Sequence, residues 1–179
     1  MNLAALAPQW ALMLLMVLLA LAALQDSIQL KISNIICAAV LLLGIGVVLI
    51  TGFKLDLWQN FLVFVVTLTL GTMLFSAGKL GGGDVKLFAS TVFWFDLQGA
   101  LWLLLSVAIA GGILAVFIIT IRMFGWSEAM QQRAVILRRK GGIPYGVAIA
   151  AGALLTVSMA GPHQAADPRT NFNAIMGQR

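Results

Sequence analysis

The sequence predicts an all-α, polytopic membrane protein with about six transmembrane helices, one of them short. Two features of composition lead there. Hydrophobic residues make up 61% of the chain against 9% charged, and the mean hydropathy is +1.03. A soluble globular domain holds roughly 45–50% apolar residues, so this composition excludes one. Their distribution is the third feature: charges and glycine clusters fall between apolar runs whose lengths suit membrane-crossing helices. Residues 1–160 read as one integral membrane domain, and 161–179 as a polar C-terminal tail.

The first span runs from about Trp10 to Leu24 and ends at Gln25-Asp26-Ser27. It has no basic lead-in and no small-residue cleavage site after it, so it reads as a retained span rather than a removable signal. A short polar connection, Asp26 to Asn34, leads into the second span, Ile35 to about Ile50. Gly44 and Gly46 offer close helix approach there. Thr51 to Asn60 reads as a turn with Trp58 at the interface, and Phe61 to about Phe75 is the third span. The fourth, Asp84 to Phe95, has only about 12 residues, roughly 18 Å of helix. It crosses only if the non-helical stretch Gly78 to Gly83 dips into the membrane, where such backbone must be covered by protein or line a wet cavity. Asp96 to Gly99 turns the chain. Spans from about Ala100 to Ile121 and Ile143 to Met159 follow. Between them, Arg122 to Gly142 carries Trp126, Met130, Ala134 and Leu137 at helical spacing, as a basic helix on the membrane surface would.

Basic residues orient the bundle. With six spans and the N-terminus outside, the cytoplasmic segments hold eight of them (Lys31, Lys79, Lys86, Arg122, Arg133, Arg138, Arg139, Lys140) and the outside three (Lys54, Arg169, Arg179). The net charge of +5 therefore reports topology and contact with membrane lipids; no aromatic-basic cluster points to nucleic acid. The single cysteine, Cys37, sits in an apolar run and reads as a small buried hydrophobe. His163, the one histidine, reads as a solvated tail residue, so neither a metal site nor a cofactor is expected.

The stretch Gly78-Lys79-Leu80-Gly81-Gly82-Gly83-Asp84-Val85-Lys86 delivers a carboxylate onto the first turn of an apolar helix. Ionisable residues at membrane depth mark function; a solvated loop between spans is the plainer reading. The topology brings Asp26 to the same cytoplasmic side as Asp84, each at the end of a span, while Asp56 and Asp96 go to the outer loops. Two such carboxyls are the minimum for aspartic proteolysis, one ionised to take a proton from water and one protonated to polarise the scissile carbonyl. Two unrelated loop acids paired with Lys31 and Lys86 would give the same placement.

Three segments carry a resemblance. Gly81-Gly82-Gly83-Asp84 fits the G-x-G-D signature of membrane aspartic proteases. Asp26 followed by Ile32 and Asn34 is similar to the D-x5-I-P-N segment of prepilin peptidases, with Ser33 where that pattern has proline. Ile143-Pro144-Tyr145-Gly146-Val147-Ala148 looks like the I-P-Y-G-x-A opening of their last span. Together these resemble the prepilin peptidase family over nearly the whole chain. The resemblance implies that Asp26 and Asp84 are the catalytic pair, with Gly81, Gly83, Asn34, Lys86, Pro144, Tyr145 and Gly146 in support. It also implies cleavage of type IV prepilins, substrates with class III signal peptides, at the cytoplasmic face of the bacterial inner membrane, just after a glycine that precedes their apolar helix. The zinc-binding C-x-x-C loop of larger members is missing, which resembles the short form serving Flp (tight adherence) pili and does not support N-methyl transfer.

Lys86 lies two positions from Asp84, and residues at that spacing do not share a helix face, so lipid or solvent is its expected partner. Pro144 suits a helix start. Helix ends suggest an ionised Asp84, at a helix N-terminus, and a protonated Asp26, at a C-terminus. The sequence leaves oligomeric state open. A small ion-coupled transporter with a broken helix at Asp84, or a non-catalytic pilus-assembly subunit with the same fold, are the alternatives.

Overall fold

The computed structural model describes residues 2–123 and 142–163, and these are helical throughout apart from short connections. The helices are α1 (Leu3–Leu6), α2 (Gln9–Gln29), α3 (Asn34–Thr51), α4 (Leu57–Ser76), α5 (Gly82–Val92), α6 (Leu97–Met123) and α7 (Tyr145–His163). Four of them, α2, α3, α4 and α6, are long and apolar enough to cross a membrane; α5 and the apolar stretch Tyr145–Met159 of α7 are shorter. The chain is a multi-pass, all-α membrane protein. The basic surface helix expected over Arg122 to Gly142 lies almost wholly outside the described residues, as does the tail beyond His163. The ends of that segment are close, since Arg122 Nη2 donates to the Gly142 carbonyl at 2.9 Å.

Several boundaries differ from the sequence reading. α2 does not stop before Asp26 but carries it inside its last turns. Ser27 Oγ donates back to the Ala23 carbonyl (2.8 Å), and Leu30, at φ 50°, closes the helix by donating its N–H to the Asp26 carbonyl (2.8 Å). α4 starts at Leu57, so Trp58 and Asn60 belong to a helix rather than a turn. Gly82 and Gly83 form the first turn of α5 and are not loop. Gly78 does turn the chain, at φ 70°: its N–H donates to the Phe75 carbonyl and that of Lys79 to the Leu74 carbonyl, the paired bonds of a Schellman cap. Asp96 caps α6, its Oδ1 accepting the Gly99 N–H at 2.9 Å.

α5 packs between α3 and α4, while α7 packs against α6 and α2. The far end of α5 is buried: Trp94 and Phe95 have no exposed surface and join Leu3, Leu15, Leu19, Val40 and Leu103 in one core. Its last carbonyls still find donors. Asn60 Nδ2 donates to Phe93 O (2.9 Å), and the Ala4 N–H to Trp94 O (3.1 Å). The Trp94 indole donates to Val40 O (3.1 Å). α1, absent from the sequence reading, thus covers the end of the short helix.

Of the two glycines expected to permit close approach, only Gly44 does: a Cβ there would lie 3.0 Å from Phe93 Cδ1, whereas one on Gly46 would meet nothing within 4 Å. α6 crosses α7 at backbone contact, where a Cβ on Gly152 would fall 2.5 Å from Val107 Cγ2 and 2.8 Å from its backbone nitrogen. Gly152→Val is expected to lose about 1–3 kcal/mol by overpacking, while Gly46→Ala leaves stability unchanged. Thermal unfolding in detergent measures both; equal melting of the two variants would contradict the crossing.

Candidate active site

Asp26, Asp84 and Gly146 meet at the end of the bundle formed by the last turns of α2 and the first turns of α5 and α7. Asp26 is 4% exposed. Its Oδ2 accepts the Gly146 N–H at 2.7 Å, across 120 residues of sequence. That N–H is one of the free donors at the start of α7, and a carboxylate there gains from the positive helix end. Gly146 is required by contact: a Cβ would sit 3.0 Å from both Asp26 Cβ and Oδ2, and 3.2 Å from Ile32 Cδ1.

Asp84 is the third residue of α5, and its carboxylate curls back over Gly81, the N-cap. This is the acidic half of a capping box; the reciprocal half, an N-cap side chain accepting the Asp84 N–H, is missing because the N-cap is glycine. A Cβ on Gly81 would lie 2.6 Å from Asp84 Oδ2, so a larger residue there would push the carboxylate from this position. A Cβ on Gly83 would lie 3.0 Å from Ile32 Cβ and 3.3 Å from the Ile32 backbone. Ile32 therefore wedges between Gly83 and Gly146, one beside each aspartate. Asp84 Oδ1 is buried without a hydrogen-bond partner, and Asp26 is near enough to act on it electrostatically.

The other expected site residues divide. Tyr145 and Asp84 line a cavity of about 390 Å³ that extends between α4 and α6. Pro144 is buried just before α7, and its carbonyl accepts the Val147 N–H (3.2 Å). Lys86 points away from Asp84, as the helical spacing requires, but not to solvent alone: Nζ donates to Asn34 Oδ1 at 3.0 Å, tying α5 to the start of α3. Cys37 is buried as expected and also touches the Gly83 carbonyl through Sγ (3.8 Å). Among the described residues no three His, Cys, Asp or Glu side chains converge.

Sequence reasoning passed over Gly71, Gln25 and Gly112. A Cβ on Gly71 would fall 2.5 Å from Val85 Cγ1, so Gly71 lets α5 settle onto α4. It stands alone in an apolar run, with no partner glycine one turn away to draw notice. Gln25 Oε1 accepts the Ser33 N–H at 3.0 Å and fixes the α2–α3 connection.

Buried carboxyls converging in a multi-pass helical bundle define a candidate membrane hydrolase. The type IV leader peptidase family matches residues 13–116, more than half of the 179-residue chain, and the chain belongs to that family of membrane peptidases. The match takes in Asp26, Asn34 and Gly81 to Asp84 and ends before Pro144, Tyr145 and Gly146. No curated protein and no solved structure matches the chain.

Gly146→Ala is expected to push Asp26 off its donor while the bundle stays folded, lowering peptidase activity at least tenfold with little change in melting temperature. Wild-type activity in the alanine variant would remove Gly146 from the site.

Proposed function

We propose that the chain is a short-form prepilin peptidase in which Asp26 and Asp84 activate water to cleave the leader of type IV, Flp-like prepilins. The convergence of the two carboxyls at one end of the bundle, one held by Gly146 and the other beside an open cavity, carries this reading. The eight-to-three distribution of basic residues supports a site facing the cytoplasm, with the N-terminus outside, in the bacterial inner membrane. The chain carries one cysteine and no C-x-x-C pair, so methylation of the new N-terminus is not part of the proposal.

In this mechanism one carboxylate takes a proton from water as its oxygen attacks the scissile carbonyl. The other, protonated, donates to the carbonyl oxygen; the tetrahedral intermediate then collapses, the C–N bond breaks and the amine leaves with a proton. Helix ends alone suggest Asp84 as the anion, but the donors favour the reverse. Each carboxyl accepts one backbone N–H, Asp26 from Gly146 and Asp84 from Gly81, but Asp84 Oδ1 is left buried without a donor. An oxygen so placed is suited to carry the proton and offer it to a substrate carbonyl. We therefore take Asp26 as base and Asp84 as acid.

Asp26→Asn and Asp84→Asn are each expected to abolish cleavage of a prepilin by purified, correctly inserted protein, and product from wild type supplied with a methyl donor should stay unmethylated. Cleavage by the double Asn variant would end the aspartic reading. Infrared spectra at neutral pH should show a protonated-carboxyl band that vanishes in Asp84→Asn and survives in Asp26→Asn; the opposite pattern reverses the two roles.

A further inference from the structure

The cavity at Asp84 does not end at the site. Its α6 wall is formed by Leu104, Ala108, Gly112 and Ala115, which recur on one helix face over roughly 16 Å. Gly112 is exposed, and a Cβ there would meet nothing within 4 Å, so the floor of the groove reaches backbone. α4 and α6 touch each other little, and of the four long helices they are the least buried. The groove therefore opens sideways, toward lipid. Among the described residues its lining is mostly apolar, with Thr67 and Tyr145 the polar exceptions and no cationic side chain; its one carboxyl, Asp84, stands at the end shared with Tyr145.

We propose that this groove seats the apolar helix that follows the scissile bond of the substrate, entering laterally from the membrane between α4 and α6. The proposal rests on the peptidase reading and adds where the substrate binds. A lipid phosphate is a poor occupant, because among the described lining residues the one charge it would meet is a carboxyl. A soluble ligand is a poor one, because the opening faces hydrocarbon. A helix laid along three turns of α6 fits: small residues on the wall admit the side chains of one face, as close helix packing in membranes requires. About 390 Å³ accommodates such a face and not a whole helix, so the remainder of the substrate stays in lipid. With its N-terminal end at Asp84, the bond preceding the helix lies at the carboxyl and the leader projects out of the bundle. Gly112 is then a specificity-determining position, one that sets which side chains the mature segment can carry.

The test uses the full chain in liposomes with a synthetic prepilin-like peptide: a basic leader, a glycine at the junction and an apolar helix of about 20 residues. Gly112→Phe puts a ring at the groove floor, where a Cβ meets nothing within 4 Å. It should lower kcat/KM at least tenfold through KM, with melting unchanged. Ile113→Phe, one residue on and outside the groove, should behave as wild type. Independently of turnover, Gly112→Cys in an Asp84→Asn, Cys37→Ala chain should form a disulfide with a cysteine in the peptide helix, and Ile113→Cys should not. Wild-type KM in Gly112→Phe overturns the proposal. So does a Gly112→Cys disulfide formed to a second copy of this chain, to its own 124–141 segment fitted with a cysteine, or not at all. If wild type fails to cleave while the disulfide to the peptide forms, the peptidase reading falls and the groove stands.

Discussion

A helix of 11 residues rises roughly 16 Å, about half of a hydrocarbon layer near 30 Å thick. Placed within a membrane bundle, α5 leaves backbone groups unpaired at both ends, and at its buried far end each group left unsatisfied costs several kcal/mol. Much of the architecture answers that constraint. Asn60 and Ala4 donate to the carbonyls of Phe93 and Trp94, and Trp94 in turn donates to the backbone of α3. With its far end held, α5 has one depth available to it, and that depth sets where Asp84 stands. α1 and Asn60 are remote from the candidate chemistry and still position it.

The glycines at the site follow from the same geometry. Gly81 leaves space for a carboxylate to lie directly over the N-cap, Gly83 lets the α2–α3 connection press against the first turn, and Gly71 lets α5 sink onto α4. Gly146 does for Asp26 what Gly81 does for Asp84. Each aspartate thus packs against backbone instead of a side chain. Groups so enclosed have few alternative rotamers, which is what a proton-transferring pair requires of its geometry. Conformational freedom, the usual reason for glycine, applies in this stretch only to Gly78.

The apolar runs made six of the seven described helices and most of their boundaries legible, since composition decides them within a few residues. The placement of Asp26 and Asp84 at one end of the bundle was legible from topology and motif together. Three things were not. Asp26 was read as loop because polarity rises there, but helix formation tolerates Gln, Asp and Ser once tertiary contacts hold the turn. α1 has four residues, too few to give a periodic signal, and its role lies in a contact more than 80 residues away. The N–H that holds Asp26 comes from a distant helix, which the local reading of helix ends does not reach. Long-range hydrogen bonds have no signature in spacing.

Ser33 shows how such a contact can stand in for a motif residue. The family pattern has proline at this position, which would fix φ near −65° and remove an N–H. Ser33 holds φ −67° without the ring. Its hydroxyl accepts the Ile35 N–H (3.2 Å) as the cap of α3, and its own N–H donates to Gln25 Oε1 (3.0 Å). Proline could make neither bond. Each is worth about 1 kcal/mol, comparable with the 0.4–1 kcal/mol or so that proline gains by restricting the unfolded chain. The bond to Gln25 also acts one residue before Asp26, at the turn where α2 delivers its carboxyl. The substitution therefore changes how the connection is held, from a stiff ring to a pair of hydrogen bonds, and leaves Asp26 directed at Gly146.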